Sequence, residues 1–391
     1  NERQKPDKNQ DKKLIENLAS ELEKSKKGYE DLMEQLKLES PEYASTISVY
    51  PEKIENIQTL LDEDSILLEY FIGKEKTFLW LLDNDSIRVI LLPVKSEQLS
   101  KEIKSYREEI SSNLTMEKIK SDRWKEKSQK LYKELLRSAE KITKSKKQLV
   151  IVPDGILNYL PFQTLVDDKG DCLVEKFSIV YLPSGSILRY CKEKNKGSNN
   201  SLVAFAPGNL AITGYSPLPY SKKEVSEISK LYKNSEIYYG EDMTVDRVYK
   251  NSSGHDIVHF ATHSILDTEA PLFSSLILSD GNLEVFRVFE LDLSAYLVTL
   301  SACSTGLGDL VAGDELIGLS RAFIYAGTPS VCVSLWDVSD TSTSILMEKF
   351  YFYLKEGKTK SEALRLAELD TKRKYSHPFF WAPFILTGDW K

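Results

Sequence analysis

The sequence predicts an α/β fold, on three observations. Short apolar runs of the length of buried strands recur along the chain, among them 148–152, 296–300 and 330–335. Between the last two, Leu316, Leu319, Phe323 and Ile324 recur at the helical period, and Gly327 followed by Pro329 stops the helix. The result is a strand–helix–strand unit, the building block of a parallel sheet. Small residues and glycines (Ser301, Ala302, Ser304, Thr305, Gly306, Gly308) crowd the carboxyl end of the first of these strands, around Cys303. Ligands and reacting groups collect at that edge of an open α/β sheet.

The 391 residues suffice for two or three units and a large core, and 41% hydrophobic with 28% charged residues is ordinary for a soluble globular chain. A net charge of −7 argues against direct nucleic-acid binding, which needs a basic balance. Four cysteines (Cys172, Cys191, Cys303, Cys332) are too few for a disulfide framework and fit a reducing, cytoplasmic setting. No run approaches the ~18 apolar residues of a membrane span, so no membrane partner is expected. The opening Asn-Glu-Arg-Gln-Lys is neither a start methionine nor a signal peptide, and reads as the start of a fragment whose upstream portion is missing.

Taken in order, residues 1–13 are almost wholly polar. Leu14, Leu18, Leu22, Tyr29, Leu32 and Leu36 then form the stripe of an amphipathic helix, or of two helices broken near Gly28. Ser40-Pro41 closes it. Three strands are predicted over 65–72, 77–82 and 87–92, followed by polar helices at 96–112 and 122–143. The lysine-rich run 141–147 reads as a solvated cluster at a helix end. A buried strand at 148–152 leads into the Pro153-Asp154-Gly155 turn, and a strand at 177–182 ends the first half, which holds no histidine. Cys172 lies in a polar stretch there. Residues 192–201 read as a linker.

The second half begins with a strand at 202–206 and a Pro/Gly-rich loop at 213–220, expected near the functional site. A helix at 222–232, a strand at 236–239 and a short helix at 244–250 follow. An apolar strand then runs from Asp256 to His263-Ser264. After the cysteine unit, helices at 340–355 and 359–374 cover the sheet, and 378–390 is aromatic enough to pack.

His263 and Cys303 each terminate a buried strand and are each followed by a small residue, so neighbouring strands bring them within reach. A nearby imidazole raises the thiolate fraction of a cysteine, and the pair needs neither metal nor cofactor. Cys303 is therefore the candidate nucleophile and His263 the general base. Ser301 is a weaker rival, two residues earlier. His259 and His263, four apart on one strand, share a face, but no carboxylate follows to complete a zinc-hydrolase motif. Gly306, Gly308 and Gly313 lack the lysine of a phosphate loop.

The stretches His-Phe-Ala-Thr-His-Ser, Leu-Ser-Ala-Cys-Ser-Thr-Gly, Gly-Asp-Glu-Leu-Ile-Gly-Leu-Ser-Arg-Ala-Phe-Ile-Tyr-Ala-Gly and Ser-Leu-Trp-Asp-Val-Ser-Asp resemble the CHAT family of caspase-like, separase-related cysteine peptidases. The resemblance is dense from about residue 200 onward. It implies a caspase-like three-layer architecture in which a catalytically empty half (40–195) precedes an active half (196–391), behind a helical segment (1–39) at the end of a tetratricopeptide-repeat region. It implies the backbone N–H groups of Ser264 and Cys303 as oxyanion donors, and 334–340 as the edge on which substrate backbone pairs, with Trp336, Asp337 and Asp340 beside it. Asp340 would favour a basic substrate side chain, or else cap the following helix. The expected function is a cysteine endopeptidase with a protein substrate, switched by a regulatory protein through its N-terminal region, in bacterial immunity. A catalytically silent interaction module and a cysteine-dependent acyltransferase are the alternatives.

Overall fold

Strands β1 (Ser65–Ile72), β2 (Thr77–Leu82) and β3 (Ile87–Leu92) fall where the apolar runs predict them. The computed structural model describes residues 51–391 other than 112–114, 198–199, 209, 211–214, 216, 268–270, 302, 305–313 and 337–339, with backbone alone at 271, 303–304, 314–317 and 340. The amphipathic segment 1–39 therefore lies outside the described residues, as does Asp337.

β1–β3 form an antiparallel meander with the registers Phe71–Phe78–Leu91 and Glu69–Trp80–Val89. Cross-strand partners share a face, and here that face is open: Phe71 is 55% exposed and Val89 56%. The opposite face, with Leu68, Tyr70, Leu79 and Leu81, is buried. It belongs to the same core as α2 (Ser96–Ser111) and α3 (Arg123–Leu135), with α1 (Ile54–Gln58) preceding β1. Tyr70 reaches across to donate to the Leu135 carbonyl at 3.3 Å.

β4 (Gln148–Val152) joins β1 in parallel, and β5 (Ser178–Tyr181) joins β4. α4 (Ile187–Lys194) then leads to β6 (Ser201–Ala206), α5 (Pro219–Ser229) and β7 (Asn234–Tyr239). β8 (Ile257–Phe260) pairs with β6. Next come three short strands, β9 (His263–Ile265), β10 (Ser275–Ile277) and β11 (Asn282–Glu284). β12 (Leu297–Leu300) returns to β8 and leads to β13 (Cys303–Ser304), α6 (Asp314–Tyr325) and β14 (Ser330–Ser334). α7 (Asp340–Lys355), α8 (Lys360–Lys374), α9 (Pro378–Trp381) and β15 (Phe384–Gly388) complete the chain.

Eleven strands form one mixed sheet in the order β3-β2-β1-β4-β5-β15-β14-β12-β8-β6-β7. Both halves share it, and β15 is the joint: it pairs antiparallel with β14 over five residues and parallel with β5 at Thr387–Tyr181. Three layers follow from two adjacent residues of β8, whose side chains point to opposite faces. His259 meets Glu224 of α5 and Tyr351 of α7, whereas Phe260 stacks toward Phe323 of α6, with ring centroids 5.9 Å apart.

Three expectations change. The 192–201 linker shrinks, because α4 runs to Lys194 and β6 starts at Ser201. The helix expected over 122–143 is broken after Leu135 by a single tight turn, Arg137–Ala139. Cys172 is buried, 3% exposed, because its stretch folds back through a bridge to Val166. No helix among the described residues is long and apolar enough to cross a membrane.

Lys360 is fully buried at the start of α8, its Nζ 3.8 Å from the Tyr296 ring centroid and 4.0 Å from Asp389 Oδ2. Burial drives its pKa down to about 7, against the pull of Asp389. Between that value and the ordinary lysine value the unfolded chain holds a proton that the folded chain has released. The native state therefore gains stability as pH rises through this window and loses it as pH falls to 7. Lys360→Met should flatten the rise in urea midpoint between pH 7 and 10 and raise the midpoint at pH 7.

Candidate active site

The strand carrying the two histidines is not continuous. β8 ends at Phe260, and Ala261–Thr262 step out of the large sheet, with the Ala261 N–H donating to the Phe205 carbonyl and Thr262 Oγ1 to the Ile277 carbonyl at 2.6 Å. β9 then enters a second, four-stranded sheet, ordered β11-β10-β9-β13. The cysteine strand makes the same departure: β12 ends at Leu300, opposite Phe260, and the Ser301 N–H donates to the Phe260 carbonyl at 2.8 Å. The two chains thus leave side by side, and the parallel register is resumed with Cys303 opposite His263 and Ser304 opposite Ser264. Backbones of neighbouring strands run about 4.8 Å apart, within reach of an imidazole and a thiol.

His263 is 4% exposed, and the ring of Tyr215 stacks on it at 5.1 Å between centroids and 29° between planes. Tyr215 comes from the 213–220 loop expected near the site. An aromatic plate of this kind limits imidazole rotation. Tyr215→Ala should lower any turnover that depends on His263 about tenfold, because misplacing a reacting group is costly even at small displacement, while the urea midpoint stays within error. An unchanged rate would show that the stack carries no catalytic weight. Ser264 sits inside the small sheet, between Leu276 and Ser304, and is 3% exposed.

His259 does not share a strand with His263, which corrects the same-face expectation. Its ring is fully buried, with Nε2 2.9 Å from Glu224 Oε1 and Nδ1 3.0 Å from the Tyr351 hydroxyl, which in turn donates to Thr299 Oγ1 at 2.8 Å. Both ring nitrogens are occupied by protein. No cluster of three or more metal-ligating side chains occurs among the described residues. The other cysteines are poor nucleophiles: desolvation pushes the thiol of Cys172 up to about 11 and that of Cys191 up to about 12, and raises Cys332 well above the ordinary value. At neutral pH a thiol with a pKa near 11 is about one part in ten thousand thiolate.

The Trp336 side chain is part of the core. It is 2% exposed, donates from Nε1 to the Phe379 carbonyl at 3.2 Å, and lies under the guanidinium of Arg107, 4.8 Å from the ring centroid. Arg107 itself was not singled out by the sequence reading, since α2 reads as a polar helix. One signal was available: Leu99, Ile103, Tyr106, Arg107 and Ile110 share the buried stripe. Asp340 opens α7, and its side chain is outside the described residues.

The profile of the CHAT domain family matches residues 125–389. The chain belongs to the CHAT domain family. Over 296 residues this CHAT chain is 25% identical to tetratricopeptide repeat protein 28 of Homo sapiens, covering 62% of the chain and 12% of that relative. The mouse protein of the same name matches equally. The CHAT chain therefore spans about an eighth of the curated relatives it matches. Among solved structures, the Saccharomyces cerevisiae separase–securin complex superposes with a TM-score of 0.57 at 11% identity, covering 88% of this chain and 31% of that one. The chain thus shares the caspase-like fold of that separase.

Proposed function

We propose that the chain is a cysteine endopeptidase in which Cys303 and His263 form the catalytic dyad. The observation that carries this reading is the parallel pairing of Cys303 with His263 at the joint exit of two strands from the large sheet. Cys303 attacks the scissile carbonyl, forming a C–S bond as its proton passes to His263. The same proton leaves with the departing amine, and water then hydrolyses the thioester. The backbone N–H groups of Ser264 and Cys303 face the developing oxyanion in this scheme. An extended peptide pairs with the backbone beyond β14, and Asp340 selects a lysine or arginine side chain. The substrate is a specific protein, and a regulatory partner switches the enzyme through the N-terminal region, in a bacterial immune response.

A peptidyl chloromethyl ketone with a basic residue before the electrophile tests the reading. It should alkylate Cys303 in the parent and fail in His263→Ala. No labelling in the presence of any cellular fraction would favour a silent interaction module. Transfer of the acyl group to added amines in preference to water would favour an acyltransferase.

A further inference from the structure

We propose that Arg107 is a positioning residue through which the first half of the sheet holds the substrate-pairing edge of the second. The proposal rests on the peptidase reading above. Arg107 lies on α2, in the first half, yet its side chain ends 228 residues away along the chain, where Nη2 donates to the Leu335 carbonyl at 2.6 Å. The residue is 3% exposed, and Nε and Nη1 make no hydrogen bond among the described residues. Among the described residues the titratable groups that act on it are the hydroxyls of Tyr159 and Tyr106, and no carboxylate does. Burying a cation is costly, so a helix needing only packing would carry methionine or leucine here. Among the described residues, what arginine adds is a hydrogen bond to Leu335.

That bond replaces something missing from the sheet. Leu335 continues the β14–β15 ladder: its N–H donates to the Pro383 carbonyl at 2.7 Å. In an antiparallel pair of this kind the partner returns an N–H to the same residue, but Pro383 has none. The Leu335 carbonyl would be a buried orphan, and Arg107 supplies the absent donor from the other half of the molecule. Both main-chain groups of Leu335 are thereby committed on the β15 side. On the other flank, the described β12 ladder with β14 reaches Leu300–Val333. In the peptidase reading an extended peptide adds as a further strand beyond Ser334. Arg107 fixes the backbone that would receive it, clamping Leu335 by hydrogen bond and Trp336 by ring stacking.

The experiment compares two alkylation rates at Cys303: one for iodoacetamide, which needs only the thiolate, and one for Ala-Ala-Lys chloromethyl ketone, which needs the pairing edge. Arg107→Met, shorter but unbranched and free of the buried charge, should lower the peptidyl rate about tenfold and leave the iodoacetamide rate unchanged. Pro383→Ala restores the ladder N–H. The double variant Arg107→Met/Pro383→Ala should therefore recover most of the peptidyl rate, which a general loosening of the fold would not permit. Arg107→Lys, with one flexible donor, should fall between and serves if the methionine variant does not fold. Equal peptidyl rates in the parent and in either Arg107 variant, or a double variant no faster than Arg107→Met, would overturn the proposal. Failure of iodoacetamide to prefer Cys303 over Cys332 in the parent would instead sink the dyad.

Discussion

Cys303→Ala loses at least about a thousandfold in turnover, and so does His263→Ala, while the double variant loses no more than either single one. Nucleophile and base act as one unit, so their removals are far from additive. The comparison that makes this specific is Cys332→Ala. Cys332 is fully buried in β14, with its thiol raised well above the ordinary value by desolvation. Its loss should cost a small cavity, about 1 kcal/mol, and no activity. Steady-state kinetics on a basic fluorogenic peptide, with urea midpoints for each variant, decides the matter. Cys303→Ala retaining parental turnover would remove Cys303 from the chemistry.

Gly327→Ala is the largest expected stability effect, at about 3 kcal/mol or more. Gly327 has φ +113°, and an added Cβ would lie 2.1 Å from the carbonyl oxygen of Leu293. The obstacle cannot swing aside, because the Leu293 N–H is itself tied to the Ala326 carbonyl at 2.6 Å. Gly357 gives the internal control. It also has a positive φ, +83°, but an added Cβ there meets nothing within 4 Å. Gly357→Ala should therefore cost only the conformational penalty of about 1–2 kcal/mol. Equal urea midpoints for the two variants would mean that the approach to Leu293 relaxes freely.

Strand positions were legible where a short apolar run is bounded by turn residues, as at Ser65–Ile72 and Gln148–Val152. Gly327 was legible as a helix stop for the same local reason. His263 and Cys303 read as the last residues of buried strands, yet each opens a short strand of the second sheet after its apolar strand has stopped. The break at Ala261–Thr262 was not visible, because both residues suit an extended strand, and the bond from Thr262 to Ile277, remote in sequence, ties the chain to the second sheet. Arg107 escaped for a related reason: the group it meets, the Leu335 carbonyl, is 228 residues distant. The aromatic run near the C-terminus read correctly as packed. That it supplies the joint between the halves depends on non-local pairing, which no periodicity encodes.

The position of β15 has a consequence for how the protein comes into being. A ribosome delivers β5 about 200 residues before it delivers the strand that β5 must accept as neighbour. During that interval β5, joined late in it by β14, exposes a row of unpaired backbone donors and acceptors in the middle of the future sheet, where strand edges invite pairing with other chains. Each half can fold its own strands as they emerge, yet the seam stays open until Phe384–Gly388 appears. A nascent chain at that stage is a natural client for a chaperone that shields edges. A cut just before residue 384 in the finished protein would likewise part the sheet at its centre rather than trim it at a border.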